Sequence, residues 1–325
     1  MKILIIRFSA VTDIVLTTSM LRCLRGQFPN AKIHYLVKEK YTFVLEANPN
    51  IDKLISFDGD LRDTVLSLLK EDYDLTVDLQ NSFRSHNITA MLRQAFNSNV
   101  KVRRVNLMKW RKKILSKTGV SILPDMNDAE RYIRSVRKLG VSNDGRGLDY
   151  FIPEKDKIKN KDLPMSHSAG YASFVISSSP NTTKLSVDQW KEICMKIDYP
   201  IILQGSSAER EKGAEIAAID PIRIYNSCGK FSLHESADII RCAKVVCGVQ
   251  SDLLSISAAY KRKIVALYTK TESKLGRYPY FGFNSLEGTQ IPELKIITVK
   301  QSSSNSESSV STEKVISAID YFLTQ

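Results

Sequence analysis

Residues Lys2–Phe28 read KILIIRFSAVTDIVLTTSMLRCLRGQF. Lys2 to Arg7 is a short apolar run of the kind a buried parallel strand requires, and Phe8 to Thr12 interrupts it. From Asp13 the apolar period changes. Ile14, Val15, Leu21, Leu24 and Phe28, with Thr18 and Arg25, trace a helical stripe. A strand, a tight loop and a helix in that order set polar groups outside the carboxyl end of a strand and beside a helix N-terminus, where open α/β sheets place ligands. Arg7, Ser9 and Asp13 occupy that junction. Asp13 is equally suited to capping its own helix.

The same alternation continues outward. Strands are expected at Lys32–Val37, Lys53–Phe57, Leu75–Leu79 and Lys101–Asn106, with helices at Asp60–Glu71, Arg84–Phe96 and Ala129–Leu139. Pro153 to Ser168 has two prolines, many Lys and Asp residues and little apolar periodicity, so it reads as a linker. Beyond it the pattern restarts. Strands are expected at Ala172–Ile176, Ile201–Gln204, Ile222–Tyr225, Lys244–Gly248, Ile264–Tyr268 and Lys295–Val299. Helices are expected at Val187–Lys196, Ala208–Ala218, Leu233–Cys242, Asp252–Tyr260 and Thr312–Leu323. The serine-rich Gln301–Ser311 reads as a mobile linker. Strands alternating with helices call for parallel sheets covered on both faces, and 325 residues exceed what one core usually supports. The expectation is an α/β protein of two similar domains.

The formal charge is +12, which favours anionic partners: nucleic acid, an anionic membrane or a phosphorylated small molecule. Met108–Leu123 concentrates Lys109, Arg111, Lys112, Lys113 and Lys117 around Trp110, Ile114 and Leu115. It reads either as a basic solvent face or as a contact with an anionic inner membrane. No groove-reading or aromatic-interleaved module supports nucleic acid, so charge alone speaks for that class. No apolar run approaches 18 residues and no signal peptide pattern is present, which gives a cytoplasmic expectation. Five cysteines lack any CxxC pair, and four lie in apolar segments as small core residues. His34 alternates with strand residues and reads as structural.

Several loop-to-helix junctions in the second half repeat the logic of the first. Ser186 with Gln189 and Ser232 with Glu235 have capping-box spacing. Lys184 follows Ser178, Ser179, Asn181, Thr182 and Thr183, a set of hydroxyls and one cation suited to a diphosphate, or else a solvated polar turn. Gln250, Ser251 and Asp252 lie between a strand and a helix, where Ser251 and backbone amides can meet phosphate oxygens and Asp252 begins the helix. Glu209 and Glu211 are placed either for a ribose diol or as first-turn carboxylates. There is no G-x-G-x-x-G and no G-x-x-x-x-G-K-[ST], which disfavours a dinucleotide dehydrogenase and a P-loop enzyme.

With these residues in view, the chain resembles the glycosyltransferase family that includes the lipopolysaccharide heptosyltransferases. The likeness runs through ILIIRFSAVTDIVLTTSMLRCLRGQFPNAKIHYLV at the start, YDLTVDLQNSFRS at Tyr73–Ser85, AERYIRSVRKLGV at Ala129–Val141, TTKLSVDQW at Thr182–Trp190 and CGKFSLHESADIIRCAKVVCGVQSD further on. It implies two facing Rossmann-like domains of the GT-B type: an acceptor-side domain at 1–160, a donor domain at 161–310, and a helix at 311–325 packing back near the junction. It also implies inverting transfer of a sugar, heptose in the family, from a nucleotide-diphosphate sugar, typically ADP-linked, to a lipopolysaccharide core or related glycan. By the same resemblance Asp13 is the catalytic base and Lys184 stabilises the leaving diphosphate. Ser178, Ser179, Thr182, Thr183, Glu209, Gln250, Ser251, Asp252 and Ser255 fall on the donor side, and Arg7, Ser9, Thr12, Gln80 and Arg84 on the acceptor side. No cofactor is implied, and the transfer that the resemblance implies requires no metal.

Three departures stand out. Thr12 replaces the family's glycine before the aspartate, a residue freer to take positive φ. Gln250–Ser255 replaces a loop of the form Asp-Thr-Gly-x-x-His, and Ser186-Val187 replaces Trp-Pro. The alternative they leave open is a noncatalytic sugar- or nucleotide-binding relative.

Overall fold

The structure is a computed structural model describing residues 1–95, 100–176, 185–282, 291–301 and 308–325. The chain divides into two compact units. The first holds Met1–Lys113, Met126–Phe151 and Gly282; the second holds Ile114–Asp125, Ile152–Phe281 and the described residues from 291 onward.

The first unit contains β1 (Lys2–Ile6), α1 (Val11–Leu16), α2 (Thr18–Gln27), β2 (Lys32–Lys38), β3 (Lys53–Phe57), α3 (Leu61–Leu69), β4 (Leu75–Asp78), α4 (Phe83–Ala95) and β5 (Lys101–Arg104). After it come α5 (Lys109–Thr118), which runs across the unit boundary, and α6 (Asp128–Val136). The five strands are parallel in the order β3-β2-β1-β4-β5. The chain therefore starts in the middle of its sheet, and the order reverses between β1 and β4, where a crevice opens at the strands' carboxyl ends. Ile3 to Ile6 are wholly buried, as a central parallel strand demands. On one face Leu4, Ile6, Leu36, Val65, Leu68, Ile88 and Leu92 pack with Phe8 and Phe57, whose rings stack at 4.6 Å.

The single helix expected from Asp13 is two. Thr17 Oγ1 donates to the Ile14 carbonyl at 2.7 Å and also meets Tyr35 Oη at 3.1 Å, and Thr18 Oγ1 returns to Val15 O at 2.7 Å. Such hydroxyl back-bonding competes with the backbone ladder, and α1 closes there. Elsewhere the punctuation is local: Asp60 Oδ1 accepts from Arg62 N and Asp63 N at 2.7 and 3.1 Å and starts α3. A 3₁₀ segment at Glu39–Leu45 was not expected from the sequence.

The second unit contains β6 (Ala172–Val175), α7 (Val187–Lys196), β7 (Ile201–Gln204), α8 (Arg210–Ala217), β8 (Ile224–Asn226), α9 (Leu233–Cys242) and β9 (Val245–Val249). It continues with α10 (Asp252–Ala259), β10 (Lys263–Thr269), the short α11 (Lys270–Lys274), β11 (Leu294–Gln301), β12 (Ser308–Ser309) and α12 (Thr312–Leu323). Its order is β12-β11-β10-β9-β6-β7-β8, all parallel except the two-residue β12. Here the reversal falls between β6 and β9. Gly248 pairs with Val175 across that line, and a Cβ on it would lie 2.9 Å from both the Cβ and the carbonyl oxygen of Val175. Both capping boxes form, at Ser186–Gln189 and at Ser232–Glu235. The last helix, α12, buries Val315, Ile319 and Phe322 in the second unit's own core, beside Trp190 and Leu267. Of the serine-rich stretch, 302–307 lies outside the described residues. Cys23, Cys194, Cys228 and Cys247 are buried and Cys242 is exposed, all with free thiols.

Candidate active site

At the carboxyl end of β1, Arg7 N still extends the ladder by donating to Leu36 O at 3.1 Å. Its side chain turns into the crevice beside β4. Nη1 donates to Leu79 O at 2.8 Å, and Nη2 lies 2.5 Å from Asp13 Oδ2. The Arg7 side chain is 6% exposed and the Asp13 side chain 14%. Arg7 Cζ lies 5.8 Å from the Tyr132 ring centre, and Nε has no partner. Burial works against the Arg7 charge, but Tyr132 and Asp13 more than offset it, so its pKa is raised. Asp13 Oδ2 also accepts from Ala10 N at 3.5 Å. The carboxylate is thus fixed in direction, partly open to solvent, and tied to a permanent cation.

Gln80 closes the other side of the crevice, its Oε1 accepting from Phe8 N at 2.9 Å. That loop is held from below by Asp78, which is fully buried. Asp78 Oδ1 accepts from Gln80 N and Asn81 N at 3.1 and 2.8 Å, and its Oδ2 accepts from Ser85 Oγ at 3.0 Å, with Arg104 Nε at 3.4 Å. Arg7 and Asp13 are therefore paired directly, Gln80 is tied to Phe8 beside them, Ser9 lies in the same loop, and Thr12 follows in the first turn of α1. Arg84 stands exposed in the first turn of α4, outside that bonded set. Thr12 lies inside α1 and is not among the residues with positive φ, so the loss of glycine costs nothing there.

Two residues of this site were not singled out from sequence. Asp78 belongs to the quoted Tyr73–Ser85 stretch, and its role shows only when Gln80, Asn81 and Ser85 are folded around it. Tyr132 follows the apolar stripe of α6, so its position in sequence reads as core. In the fold its hydroxyl is fully buried without a hydrogen-bond partner, and burial pushes the phenol well above its ordinary pKa. His34 is structural as expected, with Nδ1 2.9 Å from Tyr73 Oη.

In the second unit, Gln250, Ser251 and Ser255 are buried at the carboxyl end of β9. Ser251 Oγ accepts from Leu254 N at 3.3 Å and caps α10, while Ser255 Oγ donates to Ser251 O at 3.4 Å. Asp252 is the first residue of α10. Glu209 Oε2 accepts from Ser206 N and Ser206 Oγ at 2.8 and 2.6 Å, so this carboxylate oxygen serves a helix cap. Gln204, at the carboxyl end of β7, donates through Nε2 to Ser173 Oγ at 2.8 Å and leaves its buried Oε1 without a partner. Ser178, Ser179, Thr182, Thr183 and Lys184 lie outside the described residues.

Two Rossmann-like units with a crevice at each topological switch point form the GT-B architecture of glycosyltransferases, and solved structures share it along the whole chain. A glycosyl transferase family 9 structure from Veillonella parvula covers 99% of this chain and 97% of its own, with a TM-score of 0.77 at 19% identity. The E. coli heptosyltransferase WaaC with ADP covers 99% and 100% at a TM-score of 0.72 and 19% identity. The chain belongs to glycosyltransferase family 9 (heptosyltransferase), whose profile matches residues 62–281. It is 24% identical to lipooligosaccharide heptosyltransferase 2 of Haemophilus influenzae, over 83% of this chain and 84% of that protein. To lipopolysaccharide heptosyltransferase 2 of Salmonella typhimurium it is 25% identical, over 82% of each.

Proposed function

We propose that the chain is an inverting, metal-independent glycosyltransferase. It moves a sugar of the heptose class from a nucleotide-diphosphate donor to a lipopolysaccharide core or related cell-envelope glycan, on the cytoplasmic side. One observation carries the reading: a carboxylate, Asp13, stands at the carboxyl end of the central strand β1 and is aimed by the buried Arg7. Family membership and the names of two relatives matched over more than four fifths of both chains support the substrate classes.

In this reaction Asp13 accepts the acceptor hydroxyl proton as that oxygen bonds the anomeric carbon from the face opposite the donor diphosphate. The bond from the anomeric carbon to the diphosphate oxygen breaks, and its electron pair leaves on the diphosphate. Lys184 is assigned to that developing charge, helped by the neutral groups of Gln250 and Ser251. Arg7 keeps Asp13 in one orientation through the cycle. Gln80 and Ser9 shape the acceptor side of the crevice.

A second reading, a noncatalytic nucleotide-sugar binder, is favoured by the Ser251 hydroxyl, which is spent on capping α10. Thermal shift across ADP-, GDP-, UDP-, CMP- and dTDP-linked sugars, then transfer assays with the stabilising donor, separates the two. Asp13→Asn is expected to keep donor binding while transfer falls about 100- to 10,000-fold, with a lowered melting temperature because the buried Arg7 loses its counter-charge. Donor binding without any turnover in the unmodified protein would establish the binder instead.

A further inference from the structure

Between Asp78 and Asp125 the sequence contains no carboxylate and ten Lys and Arg residues, most of the chain's formal charge of +12. The segment includes α4, β5 and α5, and α5 is two-sided. Its inner side carries Leu115, fully buried, and Lys112, whose Nζ lies 2.7 Å from Asp128 Oδ1. Its outer side carries Trp110, Lys113 and Lys117 at spacings of three and four, which set them in one row on a helix. All three are exposed, Trp110 at 60%, and among the described residues neither lysine forms an ion pair. The Arg111 guanidinium lies 5.1 Å from the Trp110 ring centre. Lys109 Nζ donates to Asn81 O and ties the start of α5 to the loop ahead of α4, whose first residue, Phe83, is 80% exposed and is followed by the exposed Arg84.

Two large aromatic side chains in water, beside Lys113 and Lys117 on a stretch of chain without acids, are costly to leave uncovered. They match the surface of an anionic bilayer, where amphipathic aromatic rings settle at headgroup depth and lysines meet lipid phosphates. We propose that the outer row of α5, with Phe83 and Arg84 at the start of α4, is a docking face for anionic lipid. Trp110 and Phe83 enter the headgroup layer, and Arg84, Lys113 and Lys117 supply charge. A nucleic-acid platform fits less well, because Arg111 already covers one face of the indole and, among the described residues, no second ring stacks beside it. The face is continuous with the loop that carries Gln80, so docking would hold the acceptor side of the first unit near the membrane. The inference concerns lipid binding by the chain itself and stands whether or not the transfer reading does.

The test is co-sedimentation of the full chain with phosphatidylcholine vesicles containing phosphatidylglycerol, against phosphatidylcholine alone, with tryptophan emission recorded in parallel. Binding is expected only to the anionic vesicles, weakening as salt is raised. A blue shift and quenching by brominated lipid should accompany it. The response belongs to Trp110, since the other tryptophan, Trp190, is 1% exposed in the second unit's core. Trp110→Ser should remove the shift and weaken partition about tenfold. Lys113→Glu with Lys117→Glu should weaken it about tenfold or more, and the milder Lys113→Gln with Lys117→Gln about fivefold or more. Unchanged melting temperatures verify that these variants fold. Equal binding to neutral vesicles, no vesicle binding, or partition that the variants leave untouched would overturn the proposal. So would salt-sensitive binding of single-stranded RNA, lost in the same variants, without vesicle binding.

Discussion

The two units share one five-strand order, to which the second adds β11 and β12, and they fill their crevices differently. In both, the order reverses beside the first strand, between β1 and β4 and between β6 and β9. The first crevice holds charge in places water barely reaches: Arg7 against Asp13, with Asp78 beneath the neighbouring loop. The second buries neutral groups in its described part, a glycine at the strand contact and then Gln250 and Ser251, with the half-buried Asp252 following them. A shared fold thus supplies two ligand positions without deciding their chemistry, and side chains at the strand ends divide the work. Proton transfer needs a fixed carboxylate, whereas a diphosphate is met better by neutral donors and one cation than by an acid.

The comparison can be broken by exchanging what distinguishes the crevices. The largest expected effect is from Arg7→Leu, which leaves Asp13 without its cation in a poorly hydrated site. Denaturant unfolding should show a loss of about 3 kcal/mol, and transfer should fall as Asp13 loses its orientation. Next is Gly248→Ala, which forces a methyl group to within 2.9 Å of Val175 and should cost about 2 kcal/mol. Its donor-induced stabilisation should shrink while lipid binding persists.

Acid should separate the units more gently. Hydrogen bonds from Lys53 and Lys2 hold Glu71 down at about 2, against an ordinary value of 4.5, and one from Arg22 holds Asp144 at about 2 against 3.8. Folded-state values below the unfolded ones mean that this stability is complete above those ordinary values and is lost as the pH falls toward 2. Burial raises Asp149, which returns a part of it. Both strongly lowered carboxylates belong to the first unit, so hydrogen exchange followed from pH 5 to 2 should show that unit opening first. Uniform opening would remove the distinction. The smallest effect is from Ser232→Ala, which removes the α9 cap and should cost about 1 kcal/mol without changing donor affinity.

Strands and helices were legible because short apolar runs and a 3.6-residue period are written in the chain. Lys53–Phe57, Ile201–Gln204, Val187–Lys196, Leu233–Cys242 and Thr312–Leu323 occur with the expected bounds. The break at Thr17 was not, because it depends on a hydroxyl reaching Tyr35 on another strand. Asp13, Arg7 and Gln80 could be chosen from the junctions they occupy. Tyr132 could not, since nothing in a helical stripe distinguishes a packed phenol from one lying beside a buried guanidinium. The basic helix was visible as composition; which of its lysines turn outward required the Lys112–Asp128 contact.

Gly282 has a consequence for biosynthesis. With φ of +105° and a Cβ position that would fall 2.1 Å from Gly145 O, it is seated against the Asn143–Gly147 turn, where its carbonyl accepts from Asn143 Nδ2 at 3.1 Å. This piece of the first unit is encoded more than a hundred residues after Phe151. On a ribosome adding about 5 to 20 residues per second, the amino-terminal unit must wait roughly ten seconds for the residue that seats its last turn. Nascent chains stalled before residue 282 should therefore carry a first unit that proteases still attack at Asn143–Gly147.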